Sequence, residues 1–292
     1  MADPARRLPE NAPGAWFVDA TCIDCDTCRQ LAPDVFAQSR SELSFVAKQP
    51  LAEPARKRAA MALVACPTAS IGGAQPAEVR SAARAFPEPV MEDVAYCGYA
   101  SADSFGASSY LIRRAAGNVL VDSPRAARPL IERIAELGGV ARLFLSHCDD
   151  VADHARWHER FGCERILHRA DVRAGTRGVE HQLEGTDPIR LDADLLAIPV
   201  PGHTRGSTAL LYRDEVLFSG DHLWYSDGAG RLHASRGVCW FSWEEQIRSM
   251  QRLFDFRFEW VLPGHGRRYR AKSAAAMRSA IEELVGRMRD NR

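Results

Sequence analysis

The chain has 292 residues, 46% of them hydrophobic, and its 38 Lys+Arg balance its 38 Asp+Glu. That composition supports a buried core and sets up no net field to draw in nucleic acid or an anionic membrane. No apolar run approaches the roughly 18 residues of a membrane span, and the opening "MADPARRLPENAPGAW" lacks the apolar stretch of a secretory signal. The expected compartment is the cytoplasm, with neither nucleic acid nor membrane as a partner. The length accommodates a small domain followed by a medium one.

Eight cysteines in a cytoplasmic chain suggest metal or redox chemistry more than disulfides. Cys22, Cys25 and Cys28 form "CIDCDTC", and Cys66 follows in "VACPTAS", while Cys97, Cys148, Cys163 and Cys239 are scattered. Three thiolates at a spacing of three can wrap one cubane, and a Cys-Pro from a distant segment closes it. A zinc knuckle is the alternative, but zinc prefers paired CxxC hooks. After Cys28 the two-cluster bacterial pattern C-x₃-C-P is broken, because Ala32-Pro33 stands where the second cluster's cysteine would be. Residues 1–75 therefore resemble a bacterial-type ferredoxin. The resemblance implies one 4Fe–4S cluster held by Cys22, Cys25, Cys28 and Cys66.

From Gly72 the chain becomes rich in Gly, Pro, Ala and charge, and 76–93 reads as a linker with room for one short helix. From residue 94 short strands alternate with helices. "GNVLVDSP" is an apolar strand; Ser123-Pro124 offers a helix N-cap and a first-turn proline, and "RAARPLIERIAEL" has helical spacing up to Gly138-Gly139. Ser242 with Glu245 forms a capping box ahead of "EEQIRSMQRLF". Four apolar runs each end in a metal-ligating side chain. "RLFLSH" delivers His147, "LLAIPVPGH" His203, "EVLFSGD" Asp221 and "EWVLPGH" His265. Strand ends suit such sites because the sheet fixes the backbone while the loops admit substrate.

"LSHCDDVADH" supplies further candidates in Asp149, Asp150, Asp153 and His154. With it, residues 94–292 resemble the metallo-β-lactamase superfamily, through "PGHTRGS", "SGDH" and "LPGHG". The family's first motif is H-x-H-x-D-H. Here Asp149 stands where the second histidine should be, and two residues are added before Asp153-His154. Asp122 in "VLVDS" matches an aspartate that supports the loops in the family. The resemblance implies an α+β protein, a ferredoxin-like domain followed by a four-layer αββα sandwich. It implies two divalent ions, zinc, iron or manganese. His147, Asp149 and His203 would hold one; Asp153, His154 and His265 would hold the other; Asp221 would bridge. Asp150 competes with Asp149 for its place. A third carboxylate adds hard oxygen, which tilts the pair towards iron or manganese and weakens both ions as Lewis acids.

Cys148 reads as a small strand-loop side chain and His158 as lying beyond the motif. His222 is placed to orient ligands, and Arg205, Tyr225, Arg236 and Trp240 fall near the site mouth. The leading expectation is a binuclear metal-dependent hydrolase of a small-molecule ester, thioester, lactone or lactam, with Asp153 also orienting the attacking water. The alternative is a redox enzyme or electron carrier, in which the ferredoxin domain feeds a di-iron centre and docks a redox partner protein. A third reading makes the cluster purely structural.

Overall fold

The computed structural model describes residues 2–290, which form two units: residues up to Ala141 together with Ala152–Cys163, and Arg142–Val151 together with Glu164 onward. No helix among the described residues is long and apolar enough to cross a membrane.

The first unit opens with the cysteine-bearing segment. Strand β1 (Phe17–Val18), helix α1 (Thr27–Leu31), the hairpin β2 (Phe36–Gln38) and β3 (Ser44–Val46), helix α2 (Glu53–Ala65) and β4 (Ile71–Gly72) follow in order. β1 and β4 pair antiparallel, with Val18 opposite Ile71. Buried Asn11 clamps the start of the chain: its Oδ1 accepts from Val18 N and Val46 N, both at 2.9 Å, and its Nδ2 donates to Val18 O. α2 stops at Cys66 because Pro67 bars the helical conformation from the residue before it. The segment 76–93 carries helix α3 (Pro76–Arg84), opened by a capping box from Gln75 and Glu78, and strand β5 (Glu88–Pro89). It also buries Phe86 edge-on against Tyr96 and Tyr99, at 5.9 and 5.8 Å.

β5 then begins an antiparallel meander with β6 (Val94–Tyr96), β7 (Tyr110–Ile112) and β8 (Val119–Val121). Helices α4 (Arg128–Glu136) and α5 (His154–Phe161) complete this unit. α4 begins four residues later than Ser123-Pro124 suggests. Asp122 is left-handed, at φ 55°, and Pro124 O is taken by Trp157 Nε1 at 2.9 Å, so the chain stays extended until Pro129 can start the helix. Gly138 and Gly139, at φ 101° and 73°, end α4 as expected.

The second unit holds a parallel trio, β9 (Arg142–Phe144), β10 (Glu164–His168) and β11 (His181–Leu183). It also holds a six-stranded sheet built from β12 (Ile189–Asp192), β13 (Leu195–Pro199), β14 (Thr208–Tyr212) and β15 (Val216–Gly220). A small hairpin, β16 (Trp224–Ser226) and β17 (Arg231–His233), and helix α6 (Trp243–Arg252) come next. β18 (Trp260–Pro263) and β19 (Tyr269–Arg270) finish the sheet, and helix α7 (Ala274–Asp290) follows. Ser242 caps α6 by accepting from Glu245 N. One apolar cluster joins the sheet to α6 and α7 through Ile198, Leu217, Ile247, Met250, Val261 and Ile281. β15 and β18 run parallel with Gly220 opposite Pro263. This register brings the chain exits that carry Asp221 and His265 side by side.

Candidate metal centres

In the first unit, Cys22, Cys25, Cys28 and Cys66 line one small cavity, walled by Val18, Ile23 and Ile71. All four are free thiols. Asp24 N–H points at Cys22 Sγ (3.5 Å) and Ser70 N–H at Cys66 Sγ (3.4 Å), the kind of donor that tunes a cluster's potential. Burial pushes the Cys25 thiol up to about 11 and raises Cys28 further. Four thiols converging in an apolar pocket suit a cation cluster that would draw off their protons.

Gly106, in the same unit, packs against Cys25. A Cβ there would stand 2.5 Å from Cys25 Cβ, and φ is +84°. Gly106 O accepts from Thr27 Oγ1 at 3.3 Å. Two more ties link the cysteine segment to the meander, Ala100 N–H to Ala65 O at 3.1 Å and Arg125 Nη2 to Val64 O at 3.2 Å.

The second unit brings five of the expected ligands together. Asp221 Oδ2 lies 3.7 Å from His147 Nε2, 3.7 Å from His203 Nε2 and 3.8 Å from His265 Nε2. Asp149 Oδ2 lies 3.9 Å from His147 Nε2 and 3.5 Å from His203 Nε2. These separations are too long for good hydrogen bonds. They come within a few tenths of an ångström of the spacing of donors around a common ion, since ligands bonded at about 2.0–2.2 Å in a tetrahedron sit about 3.3–3.6 Å apart. The remaining ring nitrogens are occupied: His147 Nδ1 pairs with Ser146 Oγ at 2.9 Å, and His203 Nδ1 donates to Val238 O at 2.6 Å. Meanwhile His147 Nε2, His203 Nε2 and Asp221 Oδ1 are buried with no hydrogen-bond partner among the described residues. Buried polar atoms left so are costly unless something else fills the space between them. The donor set fits a divalent cation.

Both rival aspartates face the site. Asp149, half exposed, groups with His147 and His203, while Asp150, fully buried, groups with His147 and Asp221. Gly264 makes room for the second group, because a Cβ there would lie 2.6 Å from Asp221 Oδ1 and 2.8 Å from Asp150 Oδ2. The His203 imidazole beside it, more than any other group, holds the Asp149 carboxyl down at about 2. Burial alone would raise the Asp221 carboxyl, but His265, His147 and His203 outweigh it and lower it. Burial lowers the His147 imidazole. It acts the same way on His203, where Asp149 and Asp221 prevail and raise it.

Asp171 escapes the sequence reading, yet it ties the two ligand loops together. Fully buried after β10, it accepts from Cys148 N (3.0 Å) and Thr204 Oγ1 (2.5 Å) on Oδ2, and from Gly206 N (2.7 Å) on Oδ1. The signal available was a carboxylate a few residues after the apolar pair in "RILHRAD". Asp171→Asn would set an amide N–H against one of these donors, so we expect a loss of about 1–3 kcal/mol, read as a lower unfolding midpoint in urea. A variant as stable as the parent would show that the two loops do not depend on this carboxylate.

The other candidates are distributed as follows. Asp153 and His154 lie in the first unit, at the start of α5, where Asp153 Oδ2 accepts from Ala126 N at 2.7 Å. His158 Nδ1 pairs with Cys163 O at 2.8 Å. His222 is buried and pushed down to about 3 by that burial; neither ring nitrogen has a hydrogen-bond partner among the described residues, so it orients no ligand that way. Tyr225 stacks on Tyr269 at 4.9 Å. Arg236 opens a short 3₁₀ turn.

Residues 18–73 match the family model for the 4Fe-4S single cluster domain of Ferredoxin I. Hydroxyacylglutathione hydrolase of Synechococcus sp. is 32% identical over 117 residues, which cover 38% of this chain and 46% of the relative. The enzyme of the same name from Xanthomonas axonopodis pv. citri is 31% identical over 141 residues, covering 47% and 51%. The chain thus spans about half the length of the curated relatives it matches. Among solved structures, DIM-1 metallo-β-lactamase superposes with a TM-score of 0.51 at 17% identity, covering 67% of this chain and 96% of that one. A single-cluster ferredoxin-type segment is therefore joined to a body with the metallo-β-lactamase fold.

Proposed function

We propose that the chain is a binuclear metal-dependent hydrolase of a small acyl compound, with a 4Fe–4S domain attached. Ester, thioester, lactone and lactam all suit the chemistry; the hydroxyacylglutathione hydrolases favour a thioester. One observation carries the reading: three imidazole Nε2 atoms face a single oxygen of Asp221 at nearly equal distance. In this assignment His147, Asp149 and His203 hold one ion, Asp153, His154 and His265 hold the other, and Asp221 bridges. Asp150 contributes a further carboxylate beside Asp221.

Two bound divalent cations would supply a water acidic enough to ionise near neutral pH and would polarise the scissile carbonyl. The chain's own part is to hold and orient. Ser146 and Val238 fix the imidazole rings so that Nε2 faces the site. Asp153 orients the attacking water. The cluster domain covers 1–75 and is linked through 76–93 to the hydrolase domain at 94–292. Eight free cysteines suit a reducing compartment, the cytoplasm.

The test uses the full chain, purified without oxygen. Thioester and ester cleavage should disappear when the ions are stripped, return when they are restored, and proceed at equal rates with the cluster oxidised or reduced. Turnover that requires a reductant, with two irons outside the cluster and no cleavage across a broad ester, thioester and lactone panel, would establish the redox alternative instead.

A further inference from the structure

Beside the second unit's ligand constellation opens a cleft of about 610 Å³, a size that suits a small-molecule ligand. Cys148 and Asp149 line it together with Arg173, Arg205, Trp240 and Phe241. Its one carboxylate, Asp149, belongs to the metal-ligand group, whereas both its cations stand apart from that group. Among the described residues, neither guanidinium has an ion-pair partner.

Both arginines are held. The Arg205 guanidinium lies over the Phe241 ring at 5.0 Å, and its neighbour Thr204 is buried and bonded to Asp171. The aromatic strip under it is pinned to the His203 turn by Trp240 N–H and Phe241 N–H to His203 O, at 2.9 and 3.0 Å, and by Ser242 N–H to Gly202 O. Arg173 is fixed through its own N–H to Thr176 Oγ1 at 2.8 Å and through Nη1 to Ala170 O at 3.3 Å. Trp240 and Phe241 remain 66% and 41% exposed, so an apolar surface lies beside the two cations. Two exposed guanidinium forks beside exposed rings suit a ligand that is part apolar and part carboxylate.

We propose that Arg173 and Arg205 form a subsite for a carboxylate on the leaving half of the substrate, so that this enzyme selects anionic acyl compounds. The inference rests on the hydrolase reading for the position of the acyl group, and on the cleft alone for the anion. The acyl carbonyl would point to the metal ligands, the carboxylate to the arginine pair, and the linking carbons to Trp240 and Phe241.

S-acetylmercaptosuccinate and its dimethyl ester share the same acyl group and differ on the thiol half in charge and two O-methyl groups, and release of the free thiol reads thioester cleavage in both. The dicarboxylate should show a KM at least about 10-fold below that of the diester, the size of a charge-assisted contact. Arg173→Gln and Arg205→Gln should each raise the dicarboxylate KM about 10-fold, leave kcat nearly constant and leave the diester unaffected. Binding of (methylthio)succinate, followed by tryptophan fluorescence on protein stripped of divalent ions, should weaken in the same two variants. Arg205→Lys should restore part of it. Equal losses on charged and neutral esters, or (methylthio)succinate affinity unchanged in both variants, would overturn the subsite. If no thioester is cleaved at all, the hydrolase reading fails, and the binding measurement still decides the fate of the arginine pair.

Discussion

Asp221→Ala should empty both divalent positions together and lower hydrolysis by at least about 10³-fold, well beyond the 10–100-fold typical of losing a supporting residue. The reason is geometric. One oxygen of this carboxylate is nearly equidistant from the imidazoles of His147, His203 and His265, at 3.7, 3.7 and 3.8 Å, so its removal takes negative charge from every ligand pair at once. Three imidazoles left around a vacated carboxylate would also repel one another when protonated. Metal analysis of the dialysed variant is the measurement. His158→Ala is the control, since that ring bonds to Cys163 O, and its metal content should match the parent. If the Asp221 variant retained two ions at full occupancy, the ligand set proposed above would be misplaced.

The second large effect concerns the thiols. Protein purified without oxygen should be brown, with about four irons attributable to the N-terminal segment, and Cys28→Ser or Cys66→Ser should bleach it. Cys28 and Cys66 are both buried, so a serine hydroxyl there would neither replace the thiolate nor find water. The variants should also unfold at lower temperature than the parent, because a cluster on these thiols would tie α1 to the turn after α2. Colourless parent protein holding zinc on these four cysteines would reject the cluster.

How far the sequence discloses the site depends on how local each determinant is. His203, Asp221 and His265 are legible because each follows an apolar strand by a few residues, and strand ends are where a sheet delivers side chains to a loop rim. The cysteines are legible because their spacing is itself the chemistry. Asp171 is hidden because its partners lie 23 to 35 residues away along the chain, on Cys148, Thr204 and Gly206, and only the folded loops bring them together. Whether Asp149 or Asp150 serves is unreadable for a related reason: adjacent residues in a loop have no fixed alternation, and both turn inwards. The start of α4 misleads because Ser123-Pro124 carries the local signature of a helix start while Trp157 holds its backbone extended.

Gly106 bears on how the protein is made as well as on how it is built. Its backbone leaves no space for a side chain over Cys25 and accepts the Thr27 hydroxyl, and nearby Ala65 and Val64 carbonyls are capped by Ala100 and Arg125. The thiol loop and the meander β5–β8 therefore share one set of contacts, and a cofactor that binds only the ordered loop stabilises that whole unit by mass action. A population lacking its cofactor shifts towards open conformations that proteases clear, and a change of one or two kcal/mol is enough to alter abundance several-fold. Iron starvation would then be felt first as fewer copies of the polypeptide, before any question of what each surviving copy catalyses.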